Sequence, residues 1–172
     1  MIRTNKKVGT AHRIILAFLF SGYIPFAQAA TLRVGPQHGL KTIASAAKQA
    51  QDGDIIEVEA GDYVADVALW SKNRLTIRGI GQRPKIIANG AACEEKAIWV
   101  VRGGDITIDN FEFSGAKVGD KNGAGIRFES GHLTVKNSRF TGNENGILTD
   151  GGDMTLNIEN SEFDNNGAGD GQ

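Results

Sequence analysis

The chain repeats itself, and the repeat limits what it can fold into. The stretch Leu133-Thr134-Val135-Lys136-Asn137-Ser138-Arg139-Phe140-Thr141-Gly142 has an upstream relative, Ile106-Thr107-Ile108-Asp109-Asn110-Phe111-Glu112-Phe113-Ser114-Gly115. A second relative, Leu156-Asn157-Ile158-Glu159-Asn160-Ser161-Glu162-Phe163-Asp164, lies downstream. Phe113, Phe140 and Phe163 hold the same place in the three copies, 27 and 23 residues apart. A period in that range signals a solenoid, because one unit cannot bury its own apolar face and must stack on the next.

Within each copy apolar residues fall at alternate positions, as Leu133 and Val135 do, which is the pattern of a half-buried strand. An Asn follows, then a second short alternating piece ending in Phe. Asn tolerates positive φ better than any residue except Gly, so Asn110, Asn137 and Asn160 are expected at a left-handed corner between two strands. Gly79, after Leu75-Thr76-Ile77-Arg78, is expected to fill that corner in an earlier copy. A third strand per coil is read in Ala97-Ile98-Trp99-Val100, Gly125-Ile126-Arg127-Phe128 and Gly146-Ile147-Leu148-Thr149.

Three strands joined by corners and repeated along an axis make an all-β fold, the right-handed parallel β-helix. These copies resemble the β-helix repeats of the pectate-lyase-like superfamily, and the resemblance runs over roughly residues 31 to 167. It implies a fold and a polysaccharide as the expected partner. It does not imply one activity, since that superfamily holds polysaccharide lyases, hydrolases, epimerases, phage tailspikes and surface proteins.

Residues 1–29 read as a signal peptide. Arg3, Lys6, Lys7 and Arg13 form a basic start, an apolar run follows from Ile14 to Phe20, and Ala27-Gln28-Ala29 supplies a small-residue cleavage pattern. Ser21, Gly22 and Pro25 interrupt the run, which is too short to span a membrane. The expectation is a secreted or periplasmic protein, cleaved near Ala29-Ala30, with no transmembrane segment in the mature chain and one β-helix domain over 30–172. Removing four cations and no anions from 19 basic and 20 acidic residues leaves a net charge of −5, which argues against a nucleic-acid partner. Cys93 is the single cysteine, so no internal disulfide forms. The sequence specifies no oligomeric state.

Lys41 to Gln51 is the one helical stretch, with Ile43, Ala46, Ala47 and Ala50 on one face, Thr42 as N-cap and Gly53 as stop. A solenoid exposes an apolar cross-section at its end, and this N-terminal capping α-helix covers it. After Phe163 no closing helix or polar coil follows. An end of that kind fits a truncated product or the N-terminal piece of a longer protein.

Stacking the third strands yields the candidate site. With Ile98, Ile126 and Ile147 pointing inward, alternation sends Trp99, Arg127 and Leu148 outward, and beyond them Val101, Glu129 and Asp150. An indole offers an apolar face to a sugar ring and Arg pairs bidentately with a uronate carboxylate, so Trp99, Arg127, Glu129 and Asp150 are the candidate substrate-binding residues. The long insertion Gly115 to Ala124 is expected to wall a groove beside them. The competing structural reading has Trp99 covered by the 89–96 loop and the charges paired across coils, as Asp109, Lys136, Glu159 and Glu112, Arg139, Glu162 are expected to be.

No residue matches a catalytic motif. No dinucleotide fingerprint, phosphate loop or paired-cysteine metal spacing is present. Calcium is the one cofactor the composition suggests, through the oxygen-rich run Asp164 to Gln172, although no regular calcium repeat occurs, and Glu129 and Asp150 could hold a metal ion. Three functions follow: an enzyme acting on acidic glycans, as a lyase or C5 epimerase before a hydrolase; a noncatalytic carbohydrate-binding or cell-surface protein; and a fragment with no site of its own.

Overall fold

The computed structural model describes residues 29–167, so the expected signal peptide lies, but for Ala29, outside the described residues. Two parallel sheets wind around one core. The larger has eight strands: β1 (Thr31–Val34), β2 (Ile55–Glu59), β4 (Ala68–Trp70), β5 (Leu75–Ile80), β7 (Ala97–Asp109), β9 (Ala124–Lys136), β11 (Asn145–Thr149) and β12 (Met154–Glu159). The smaller has five, in the order β13 (Glu162–Asp164), β10 (Arg139–Thr141), β8 (Glu112–Ser114), β6 (Lys85–Ile87) and β3 (Asp62–Val64). Every pairing between these strands is parallel, which is what successive coils of a solenoid produce.

The repeat phases as expected on the smaller sheet. Phe113 stands opposite Phe140 and Phe140 opposite Phe163. Their rings stack at 5.0 and 4.8 Å with interplanar angles of 9° and 7°. Asn110, Asn137 and Asn160 take φ of 65°, 49° and 48°, so the left-handed corner is real. Gly79 is a correction. It stays inside β5, and it must be Gly because a Cβ there would lie 2.2 Å from the Asn110 carbonyl oxygen and 2.4 Å from Pro84 Cδ. The Asn110 side-chain amide donates to the carbonyls of Gly79 and Gly81, which draws the two coils together.

Expected strands one and three merge into single 13-residue strands in β7 and β9. The chain bends there through Gly103, Gly104 and Gly131, all at positive φ, where the register shifts without breaking the sheet. A Cβ on Gly131 would sit 2.5 Å from the Gly104 carbonyl, so the two bends nest only because glycine occupies them.

Helix α1 (Ile43–Gln49) is shorter than the sequence pattern suggests and caps the first coil with Ile43 and Ala46 fully buried. Thr42 is its N-cap, accepting from the Ser45 amide. Asp66, 23 residues beyond Ile43, supplies a second cap: its two oxygens accept from the Ile43 and Ala44 amides at 2.6 and 2.8 Å. That placement satisfies two amides that a helix start leaves without intrahelical partners.

Outward columns are alternating charge ladders. Arg33, Glu57, Arg78, Asp109, Lys136 and Glu159 follow one another across the larger sheet. Asp62, Lys85, Glu112, Arg139 and Glu162 do so across the smaller. Each facing pair of opposite charge contributes about 0.2 to 1 kcal/mol.

Candidate functional site

Trp99 belongs to the core, which corrects its assignment as an exposed sugar platform. It pairs with Ile126, not with Arg127, and is completely buried. Its ring meets Trp70 at 5.4 Å, Phe111 at 5.1 Å and Phe113 at 4.9 Å, each edge to face. Matching Ile98 with Ile126 placed the strand one residue out of register, and a one-residue slip turns every side chain to the other face. The 27-residue spacing of Phe113 and Phe140, carried back to this strand, pairs Trp99 with Ile126 and is the signal that identifies the core position. Val101, expected outward, is buried for the same reason.

The outward column is Val100, Arg127 and Leu148. Residues 89–96 fold over its first member: the Cys93 amide donates to the Ala97 carbonyl at 2.6 Å, and Cys93 packs with Val100, Ala97 and Ala124 in a small second apolar cluster. Burial there pushes the Cys93 thiol pKa up, so it behaves as a packing group.

Arg127 lies at the foot of a cleft of about 310 Å³ between two loops. Glu94, Glu95 and Lys96 line one side, and Gly119, Asp120 and Asn122 the other. A second hollow of about 460 Å³ continues it past Glu95 and Gly119 to Gly90, Ala92, Lys117 and Val118. The insertion therefore does form a wall. Glu144 holds that wall, accepting from the Val118 and Gly123 amides at 3.1 and 2.7 Å, a role the sequence reading missed. A carboxylate two residues before the strand Gly146-Ile147-Leu148, facing an insertion of the previous coil, was the available sign.

Charges organise the rim. Glu129, whose side chain is 10 % exposed, accepts from Lys96 Nζ at 2.6 Å and from Arg102 Nε at 2.5 Å. Arg102 also grips Glu94, at 2.6 and 3.2 Å. The Arg102 hydrogen bond is the main reason that the Glu129 and Glu94 carboxyls lie below the usual carboxylate range, and burial opposes it. Arg127 pairs with Asp150, while its Nε is buried with no hydrogen-bond partner. Of the four candidates, Arg127 alone lines the cleft, Asp150 supports it, Glu129 is locked in the neighbouring ion cluster, and Trp99 is beneath the sheet.

Among the described residues, a metal ion does not fit the side chains expected to hold one. The oxygens of Glu129 and Asp150 face cations. Asp164 accepts from Arg139 and Thr141, and Asn166 bonds to Asn143 and to the Phe140 carbonyl. Among the described residues no group of three or more His, Cys, Asp or Glu side chains converges as a metal site. His132 is exposed and faces Asp105 and Thr155 across the sheet, away from the cleft-lining set.

A family model described as right-handed beta helix region matches residues 51–171. The chain belongs to the right-handed β-helix family. No curated protein and no solved structure matched it. As a β-helix protein it falls in a polysaccharide-related or structural class. No helix among the described residues is long and apolar enough to cross a membrane.

Proposed function

We propose that this is an exported β-helix protein that binds a polysaccharide chain in the cleft over Arg127 without cleaving it. The carrying observation is the position of Arg127 in the lining of a loop-walled cleft. Arg127 brings a permanent positive charge to that lining, and a charge-assisted hydrogen bond to a ligand oxygen is about twice as strong as a neutral one. Around it the lining is polar and of mixed sign, with acceptors on Glu94, Glu95 and Asp120 and donors on Lys96 and Arg127. Sugar hydroxyls donate and accept, so a hydroxyl-rich chain matches that lining better than a uniformly anionic one. Export rests on the composition of residues 1–29.

Binding is favoured over cleavage by the state of the acids. Glu94 and Glu129 are tied to cations and held below their ordinary pKa, which makes them weak bases at neutral pH. A lyase or C5 epimerase of acidic glycans is the second reading, favoured by Arg127 itself, which can neutralise a uronate carboxylate.

Retention of the purified protein on immobilised neutral and uronate polymers tests both. Retention that Arg127→Ala weakens about tenfold or more, with no unsaturated product by ultraviolet absorbance, is the expected result. Product formation that Arg127→Ala removes would establish the lyase instead. Retention that is equal for wild type and Arg127→Ala would remove the cleft from consideration.

A further inference from the structure

We propose that Asp54 is the receptor for the chain's own α-ammonium group, created at Ala30 when the peptide bond from Ala29 is hydrolysed. The inference rests on the expected leader cleavage and is independent of the cleft.

Asp54 is 3 % exposed, yet among the described residues its oxygens meet two neutral donors only. The Ala30 amide donates to Oδ1 at 2.8 Å and the Gln51 amide to Oδ2 at 2.8 Å. Among the described residues no Lys, Arg or His forms an ion pair with it. Fully buried acids are almost always paired or richly hydrogen-bonded. The other buried acid, Asp66, has its reason in the start of α1, where the backbone amides and the helix dipole favour an anion. Asp54 lies beyond the other end of α1, whose carbonyls favour a cation. In the uncleaved chain the buried Asp54 carboxyl therefore lies at the helix end that does not favour an acid, with no cation beside it among the described residues.

Cleavage supplies the missing charge at the right atom. Water adds across the Ala29–Ala30 bond: its oxygen goes to the Ala29 carbonyl carbon, which leaves as a carboxylate. The Ala30 nitrogen keeps the electron pair of the broken bond, takes up both protons of the water and becomes an ammonium. The nitrogen already 2.8 Å from Asp54 then carries a unit positive charge and three N–H donors. No rearrangement is needed, because the Ala30 carbonyl accepts from the Ile55 amide at 2.8 Å and Thr31 already pairs with Ile55. Ala29 and Ala30 are both exposed, so a chain end at that point meets solvent and not packed side chains.

The intact mass of the exported protein and a two-by-two stability cycle test this. The mass should correspond to a chain beginning at Ala30, and a chain beginning at any other residue overturns the proposal. In the cycle, proteins made to begin at Ala30 or at Ala29 are compared with and without Asp54→Asn by denaturant midpoint. The Ala30 chain should have the larger folding equilibrium constant, by roughly five- to tenfold, as for a hydrogen bond that gains a charge. That advantage should vanish in the pair carrying Asp54→Asn. It should vanish also on N-terminal acetylation of the unsubstituted Ala30 chain, a control that does not depend on Asp54→Asn folding. Equal midpoints for the two unsubstituted chains, or an advantage that survives both acetylation and Asp54→Asn, would overturn it.

Discussion

The smaller sheet and the cleft side of the larger one are built from the same coils and use their side chains in opposite ways. On the smaller sheet each group meets its own kind or its complement one coil away: Phe113 on Phe140 on Phe163, and Arg139 between Glu112 and Glu162. Beside it Asn143 and Asn166 form a ladder, each donating to a carbonyl of the coil before it, Phe113 and Phe140. On the cleft side loops outside the repeat add their own groups to the cross-coil pairs Arg127–Asp150 and Arg102–Glu129. Glu94 and Lys96 reach in from one insertion and Asp120 from the next, while Arg127 keeps a donor with no protein partner. Periodicity secures the fold, and departures from it make the site.

The sharpest way to break that contrast is Phe140→Ala. Phe140 is fully buried between two stacked rings, and its loss should cost about 3 to 5 kcal/mol by denaturant unfolding, with retention on glycan unchanged per folded molecule. An unchanged midpoint would mean that the stack does not carry the coil. Glu129→Ala should come next. It leaves Lys96 and Arg102 without their shared carboxylate and should lower stability by about 1 to 3 kcal/mol, read from the same midpoint.

Acid separates the two regions through different groups. Asp164 on the smaller sheet is pushed down to about 2, chiefly by its hydrogen bond to Arg139, while Arg102 holds Glu94 and Glu129 on the cleft side below the usual range. All three carboxyls are lowered on folding. Their stabilisation is therefore complete above the unfolded values of about 3.9 for Asp and 4.3 for Glu, and is lost as pH falls through the folded values. Thermal midpoints should fall below about pH 4, and Asp164→Asn should flatten the part of the decline nearest pH 2. The smallest change in stability should come from Arg127→Ala, within about 1 kcal/mol, because its partner Asp150 is exposed. The same substitution carries the largest expected loss of glycan retention.

How far the sequence could be read follows the same division. The Phe stack, the Asn corners, the charge pairs and the capping helix were legible because each repeats or carries a local cap. Trp99 was not: Ile98 and Trp99 were both available as the partner of Ile126, and only the spacing taken from the neighbouring Phe column chooses between them. Asp66 was also missed, since a residue 23 positions from the helix it caps leaves no local pattern. The insertion from Gly115 was recognised as a wall, but Glu144, which fixes it, belongs to the following coil. Side chains in the cleft are brought together by two loops whose paths no periodicity records.

The alternating ladders have a consequence for how the molecule assembles. Parallel coils are joined almost wholly by contacts distant in sequence, so a folding chain can lay one coil against the wrong neighbour. With Arg33, Glu57, Arg78, Asp109, Lys136 and Glu159 in line, skipping one coil sets like charge against like, Glu57 on Asp109 or Asp109 on Glu159. The second line, Asp62 to Glu162, repeats the comparison on the other sheet. The two act as a parity check written twice: an odd number of omitted coils fails on both sheets at once, and a correct stack passes on both.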